Sequence, residues 1–242
     1  MTVTNYKKSY QDHVAALETR LEKEEAMRAA IGGEFMAVGK LEHHLLRSLG
    51  LMDGQLVVDV GCGSGRLSVQ LAPFPRIRYV GCDVVECMVE YASEISGRPD
   101  WSFVCSEGTG IPCGAGAADF VCFFSVFTHL LHEDIFRYFR ESARVLRPGG
   151  QLVFSFLEFR IRSHWTAFIT TVDNCAPGQH LNQFIDRDAI RAWAGDSGFE
   201  IVQLFDGDTP HIPIPEEIRW ESGMRMGRMG NLGQSVAVLK RT

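Results

Sequence analysis

The stretch VVDVGCGSG, Val57 to Gly65, decides the fold. An apolar run interrupted by one carboxylate ends in glycines at every second position, the pattern of a buried strand turning sharply toward a helix. Glycines after a strand let backbone N–H groups approach a nucleotide-like ligand, and their spacing discriminates between ligands. A dinucleotide fingerprint, G-x-G-x-x-G, would place its third glycine at Arg66, whereas the order here is G-x-G-x-G at Gly61, Gly63 and Gly65. No G-K-[ST] follows, so the lysine and hydroxyl of a triphosphate-binding loop are missing. Asp59, two residues before the first glycine, would repel a pyrophosphate but suits a ligand bearing a sulfonium and an ammonium.

Working outward, apolar runs alternate with helix-like stretches, as in parallel strands joined by crossover helices. Strands are expected at residues 55–60, 77–82, 101–105, 118–124, 151–157, 199–205 and 234–240, forming a single sheet. Helices are expected at 65–72, 85–95, 132–146 and 187–196, the third ending because Pro148 disfavours helix at Arg147. Two helices precede the first strand. One spans 10–31 with Val14, Leu17, Leu21, Met27 and Ile31 and stops at Gly32 and Gly33; the next carries Met36, Leu41, Leu45 and Leu49 and stops at Gly50. Residues 158–186 and 206–233 are too long for plain loops and read as binding elements, the three prolines of the second breaking regular structure.

With 242 residues, 45% of them hydrophobic, the chain can bury one sizeable core. A net charge of −6 and the lack of a Lys/Arg block give no footprint for a nucleic acid. The longest strongly apolar stretch, FVCFFSVF, is too short to span a bilayer, and the opening residues carry no signal core. Seven cysteines without a C-x-x-C pair fit a reducing cytoplasm better than a disulfide scaffold or a zinc site.

VVDVGCGSGRLS resembles the first motif of the class I S-adenosylmethionine-dependent methyltransferases, and the order of features stays similar to that family over residues 51–157. YVGCDVV places Asp83 where the family keeps an acid for the ribose hydroxyls, with Val84 against the adenine. FVCSEGTGIP puts Glu107 and Gly108 beside the adenine; AADFVCFFSVFTHL is similar to the fourth strand, whose end at Ser125 passes the methionine moiety. RVLRPGGQLVFS looks like the helix-to-strand passage that follows. The resemblance implies an α/β, Rossmann-like fold: a seven-stranded, mostly parallel sheet with helices on both faces. It implies one structural domain, with an N-terminal helical cap over 1–50, a methyltransferase domain over 51–242, and substrate-covering insertions at 158–186 and 206–233. The implied cofactor is S-adenosylmethionine, with S-adenosylhomocysteine as product, held by Asp59, Gly61, Cys62, Gly63, Gly65, Asp83, Val84, Glu107, Gly108 and Ser125.

The implied chemistry is direct methyl transfer to a small or medium-sized organic acceptor, most simply at oxygen, without a protein nucleophile. A base is needed if the acceptor arrives protonated, and His129 in VFTHL holds the nearest position; His132, Glu158, His164 and His180 are weaker candidates. Each residue has a plainer competing role: Asp59 as a brace for the glycine loop, Asp83 as a helix cap, Glu107 as a loop acid, and His129 as a structural residue. FFSVF lacks the acid-or-amide, Pro-Pro-aromatic ending of base-modifying relatives, and one adjacent pair, Asp173 and Asn174, is too little to assign a metal. The expected partners are the acceptor and, in a homodimer, a second copy of the chain, with no nucleic acid and no membrane. The alternative function is a cofactor-binding regulatory subunit without transfer activity of its own.

Overall fold

The computed structural model describes residues 4–174 and 182–242; Cys175 and His180 lie outside them. Along the described chain the strands are β1 (Leu56–Val60), β2 (Arg78–Asp83), β3 (Ser102–Cys105), β4 (Ala118–Phe123), β5 (Leu146–Phe156), β6 (Phe199–Phe205), β7 (Ile212–Arg219), β8 (Arg225–Gly230) and β9 (Ser235–Arg241). The helices are α1 (Thr4–Glu18), α2 (Lys23–Ala30), α3 (Phe35–Ser48), α4 (Arg66–Leu71), α5 (Glu86–Ser96), α6 (His132–Val145), α7 (Arg162–Asp173) and α8 (Arg187–Ser197), with a 3-10 turn at Phe127–His129.

Seven strands make one sheet in the order β3-β2-β1-β4-β5-β9-β6. Strands β1 to β5 pair in parallel, and β9 runs antiparallel between β5 and β6. Both faces are covered, which is why the strands read as nearly continuous apolar runs. Alternate residues serve opposite layers: Val58, Val121, Phe123 and Phe154 join α6 and α8 through Phe139 and Ile190. Val57, Phe120, Val153 and Val238 join α3 through Leu41, Leu45 and Leu46. Helix α3 is therefore a layer of the sandwich, while α1 and α2 form a smaller cap in which Val14, Met27 and Ala30 pack on Val85, Met88 and Tyr91.

Three features depart from the sequence reading. The stretch 10–31 is two helices, because Glu22 is extended (φ −62°, ψ 153°) and turns the chain so that both helices reach α5. Residues 212–230 form a hairpin, β7–β8, despite Pro213 and Pro215. The prolines are tolerated because β7 has only β8 as a neighbour, while Ile212, Ile214 and Ile218 turn inward. Strand β5 also starts earlier than expected: Leu146 already pairs with Ala118, and the register shifts before Phe120 meets Gln151.

The hairpin packs on α3, whose other side meets α4 at Gly39; a Cβ there would lie 2.6 Å from the backbone oxygen of Arg66. Gly39→Ala sets a helix-propensity gain of up to about 1 kcal/mol against an overpacking cost of roughly 1–3 kcal/mol. Because the obstacle is backbone, the second term should win, lowering the urea midpoint; an unchanged or higher midpoint would show that α3 and α4 can separate freely.

Candidate active site

One cavity opens at the carboxyl ends of β1, β2 and β4, where ligands of open parallel sheets bind. Its wall includes Asp59, Gly61, Cys62, Gly63, Asp83, Val84, Ser125 and His129, all anticipated from sequence. Gly61 (φ 74°) and Gly63 (φ 52°) take the left-handed conformation that glycine tolerates, and a Cβ on either would strike a neighbour, Val126 Cγ2 at 2.3 Å and Ile31 Cγ2 at 2.6 Å. The loop is therefore a close-fitting cradle that a larger residue would fill.

The polar floor holds two buried acids, Asp59 and Glu42, and a half-buried third, Asp83. Burial pushes the Asp59 carboxyl up to about 7, partly opposed by the Tyr79 hydroxyl, which donates to Oδ2 at 2.7 Å. Burial also raises Asp83, against backbone N–H groups of Val85 (3.0 Å to Oδ1) and Gly63 (3.0 Å to Oδ2). Asp83 thus caps the start of α5 and braces the glycine loop. Glu42, from α3, is raised by burial and drawn down by Arg66, whose Nη2 lies 2.5 Å from Oε1. Arg66 Nη1 donates to the Gly32 carbonyl at 3.1 Å. A guanidinium has five N–H donors, and the others on Arg66 have no protein partner among the described residues.

Glu42, Arg66 and Tyr10 were not anticipated. Arg66 follows the glycines directly, and its place after the motif was the available signal; Glu42 and Tyr10 lie in helices that read only as amphipathic. Tyr10, on α1, meets His129 edge-on at 5.5 Å, and burial together with Asp83 pushes its phenol up. Ser125 ends β4 with φ 59°, unusual for a non-glycine. It is held there by its N–H to Ser155 Oγ (2.7 Å) and by Gln234 Nε2 donating to its hydroxyl (3.1 Å).

Gly65, Glu107 and Gly108 do not line the cavity. Gly65 permits the close approach of α5, since a Cβ would lie 2.9 Å from Ala92 Cβ. Glu107 is exposed and pairs with Lys7 of α1 at 3.2 Å, and the Gly108 carbonyl accepts from the Tyr138 hydroxyl at 3.2 Å. Among the weaker base candidates, Glu158 and His164 are buried in a separate network, and His132 Nε2 sits 3.0 Å from the Phe184 carbonyl oxygen. Asp173 ends α7, exposed, and among the described residues no three His, Cys, Asp or Glu side chains converge to hold a metal.

Residues 58–154 match the family model described as a methyltransferase domain. The matched segment runs from β1 into β5 and carries the glycine motif, in keeping with the resemblance to the class I S-adenosylmethionine-dependent methyltransferases. It is 30% identical over 149 residues to a malonyl-[acyl-carrier protein] O-methyltransferase of Hahella chejuensis, covering 60% of this chain and 50% of that one. It is 26% identical over 159 residues to a ubiquinone biosynthesis O-methyltransferase of Coxiella burnetii, covering 63% and 67%. The chain thus spans about half to two thirds of the length of these curated relatives. Magnesium protoporphyrin IX methyltransferase from Synechocystis, solved with bound S-adenosylhomocysteine, shares the fold with a TM-score of 0.62 at 16% identity, covering 98% of each chain. No described helix is long and apolar enough to cross a membrane.

The Asp59 proton gives a measurable signature. The folded chain keeps it up to about pH 7, whereas an unfolded chain loses it near pH 4, so its contribution to stability is present at low pH and is lost as pH rises through that window. His43, pushed down to about 4 mainly by burial, slopes the opposite way but is common to both proteins compared. The urea unfolding free energy of the ligand-free wild type should therefore fall, relative to Asp59→Asn, as pH rises from about 4 to about 7. Parallel pH profiles would place the proton elsewhere.

Proposed function

We propose that the protein transfers a methyl group from S-adenosylmethionine to a medium-sized organic acceptor, at oxygen. The observation that carries this is the charge arrangement of the cavity: two buried acids, Glu42 and Asp59, the half-buried Asp83, and one guanidinium with spare donors beside a glycine cradle. Asp83 would take the ribose hydroxyls, and Val84 and Ser106 the adenine side. Arg66 would take the carboxylate of the methionine portion, with Glu42 and Asp59 facing its ammonium. When bound, the cofactor supplies an electrophilic methyl group on a sulfonium sulfur, and S-adenosylhomocysteine leaves as the bond to the acceptor oxygen forms.

This chain's part is to orient, to exclude water and to move one proton. His129, in the cavity wall and set against Tyr10, is the residue placed to receive the proton of an acceptor hydroxyl. The strained Ser125 brings the end of β4 to the same wall. Transfer at oxygen is supported by the Hahella and Coxiella relatives, both O-methyltransferases by name.

Isothermal titration tests the reading. Wild-type protein should bind S-adenosylmethionine, and Asp83→Ala should weaken binding by at least about tenfold, about 1.4 kcal/mol. Arg66→Gln should weaken S-adenosylmethionine binding more than it weakens a decarboxylated analogue. Absence of binding by the wild type would overturn the proposal. With an acceptor in hand, His129→Ala should lower kcat far more than it changes cofactor affinity.

A further inference from the structure

Helix α7 is fastened to the molecule in an unusual way. Of its residues only His164 is buried, and it is held by polar bonds: Nδ1 accepts from the Glu158 N–H at 3.0 Å, and Nε2 faces the Gly233 carbonyl at 3.0 Å. An Nδ1 that accepts leaves Nε2 as the donor. Glu158 in turn binds Arg187 through both oxygens (2.9 and 2.7 Å) and receives the Ser235 hydroxyl. Gly207 keeps this knot closed, because a Cβ would lie 2.7 Å from His164 Nε2. The clamp secures the helix by one buried polar residue; Phe168 packs on Phe159 and Phe184, and Trp165, Ile169 and Val172 stay largely exposed.

Those side chains form a single stripe. Trp165, Phe168, Ile169 and Val172 recur at i, i+3, i+4 and i+7, and Trp165, Ile169 and Val172 are 39%, 39% and 54% exposed. Phe159, 45% exposed, extends the stripe by stacking on Phe184 at 4.7 Å and meeting Phe168 edge-on at 5.2 Å. An exposed apolar patch of this continuity marks a binding surface.

A chain of contacts links the stripe to the segment that edges the cavity. Phe184 bridges to Leu157 at the end of β5, and its neighbour Gln183 donates its N–H to the Thr128 carbonyl at 2.7 Å, inside the turn that carries His129. Leu130 lines the cavity, and Leu131 beside it is 49% exposed. The stripe's polar neighbours are threonines whose hydroxyls are turned back onto the helix: Thr166, Thr170 and Thr171 donate to the carbonyls of Arg162, Thr166 and Ala167. Of the two arginines at the start of this segment, Arg160 is paired with Asp206, and Arg162 opens α7 exposed to solvent.

We infer that α7 is the acceptor's platform and that it takes an acceptor with a neutral, apolar body, a fused ring or an alkyl chain, attached to the hydroxyl that enters the cavity. The inference rests on the proposed methyl transfer for its reacting end. An apolar body finds aromatic faces and edges already arranged around Phe168.

The test uses the full chain saturated with S-adenosylhomocysteine, with 4-hexylphenol and 2-naphthol as extended probes and phenol as the short one. Both extended probes should bind at least about tenfold tighter than phenol, and Ile169→Asp and Val172→Asp should each erase most of that advantage. Cofactor affinity should stay within about twofold in both variants, a control that each has folded. Probes that bind no tighter than phenol, or an advantage untouched by both variants, would overturn the inference. So would a wild-type dimer in sedimentation that Ile169→Asp dissociates, since the stripe would then belong to a second copy. If S-adenosylhomocysteine fails to bind while hexylphenol binds and both variants lose it, the methyl-transfer reading falls and the apolar platform stands.

Discussion

Burying two carboxylates, Asp59 and Glu42, beside a half-buried third, Asp83, at one end of a hydrophobic sheet is the constraint on which the rest of this structure depends. An uncompensated buried charge costs several kcal/mol or takes up a proton instead. Each acid here is met by a partner from a different element. Asp59 of β1 is met by the Tyr79 hydroxyl of β2, and Asp83 of β2 by backbone N–H groups of the glycine loop and of the entry to α5. Glu42 of α3 is met by Arg66 of α4, itself fixed to the turn after α2 through the Gly32 carbonyl. The cluster closes only when all of these elements are in place, so the folded core and the candidate site are one assembly. Burial opposes the ionised form of all three acids, and a cationic ligand group at this end would favour it, so the cavity suits a ligand that brings positive charge here.

Beyond the end of β5 the same problem is solved with a different result. Glu158 is buried and paired with Arg187, and Arg187 also reaches Asp206. This network uses its groups on one another and on His164, and leaves no donor set of its own facing the cofactor cavity. Its effect is mechanical: it pins the start of α7 by polar bonds and adds to the apolar packing of α8 through Ile190 and Ala194. Aromatic side chains that would ordinarily have been needed to dock a helix are left on the outside.

The sequence made most of the sheet legible because the sheet is buried on both faces. All seven of its strands announce themselves as apolar runs, and β6 is found at 199–205 as expected. The hairpin was hidden because prolines signal breakage unless a strand has only one neighbour, and pairing is not a local property. The site was half legible for a related reason. Residues next to the glycine motif could be named from their spacing, whereas Glu42 and Tyr10 reach the cavity from helices tens of residues upstream. Glu42 reads as one more polar residue beside a leucine stripe, and nothing local shows that its partner will be Arg66. The resemblance to a methyltransferase placed Glu107 and Gly108 near the adenine, and the structure instead sets Glu107 outside, paired with α1.

That last contact bears on how the two ends of the site differ. The α1–α2 cap is held over the cofactor cavity by a small apolar cluster and by exposed ion pairs, Lys7 with Glu107 and Lys23 with Glu94. Exposed pairs of this kind contribute about 0–1 kcal/mol each. The acceptor side is fastened by buried, charge-assisted bonds that cannot be broken singly without stranding a charge. Local opening follows the weaker fastening. The cap is also held from below, where Ser64 Oγ donates to the Met27 carbonyl at 2.8 Å and Arg66 Nη1 to the Gly32 carbonyl at 3.1 Å. The two ends therefore differ in where their ion pairs lie, exposed on the cap and shielded beyond β5.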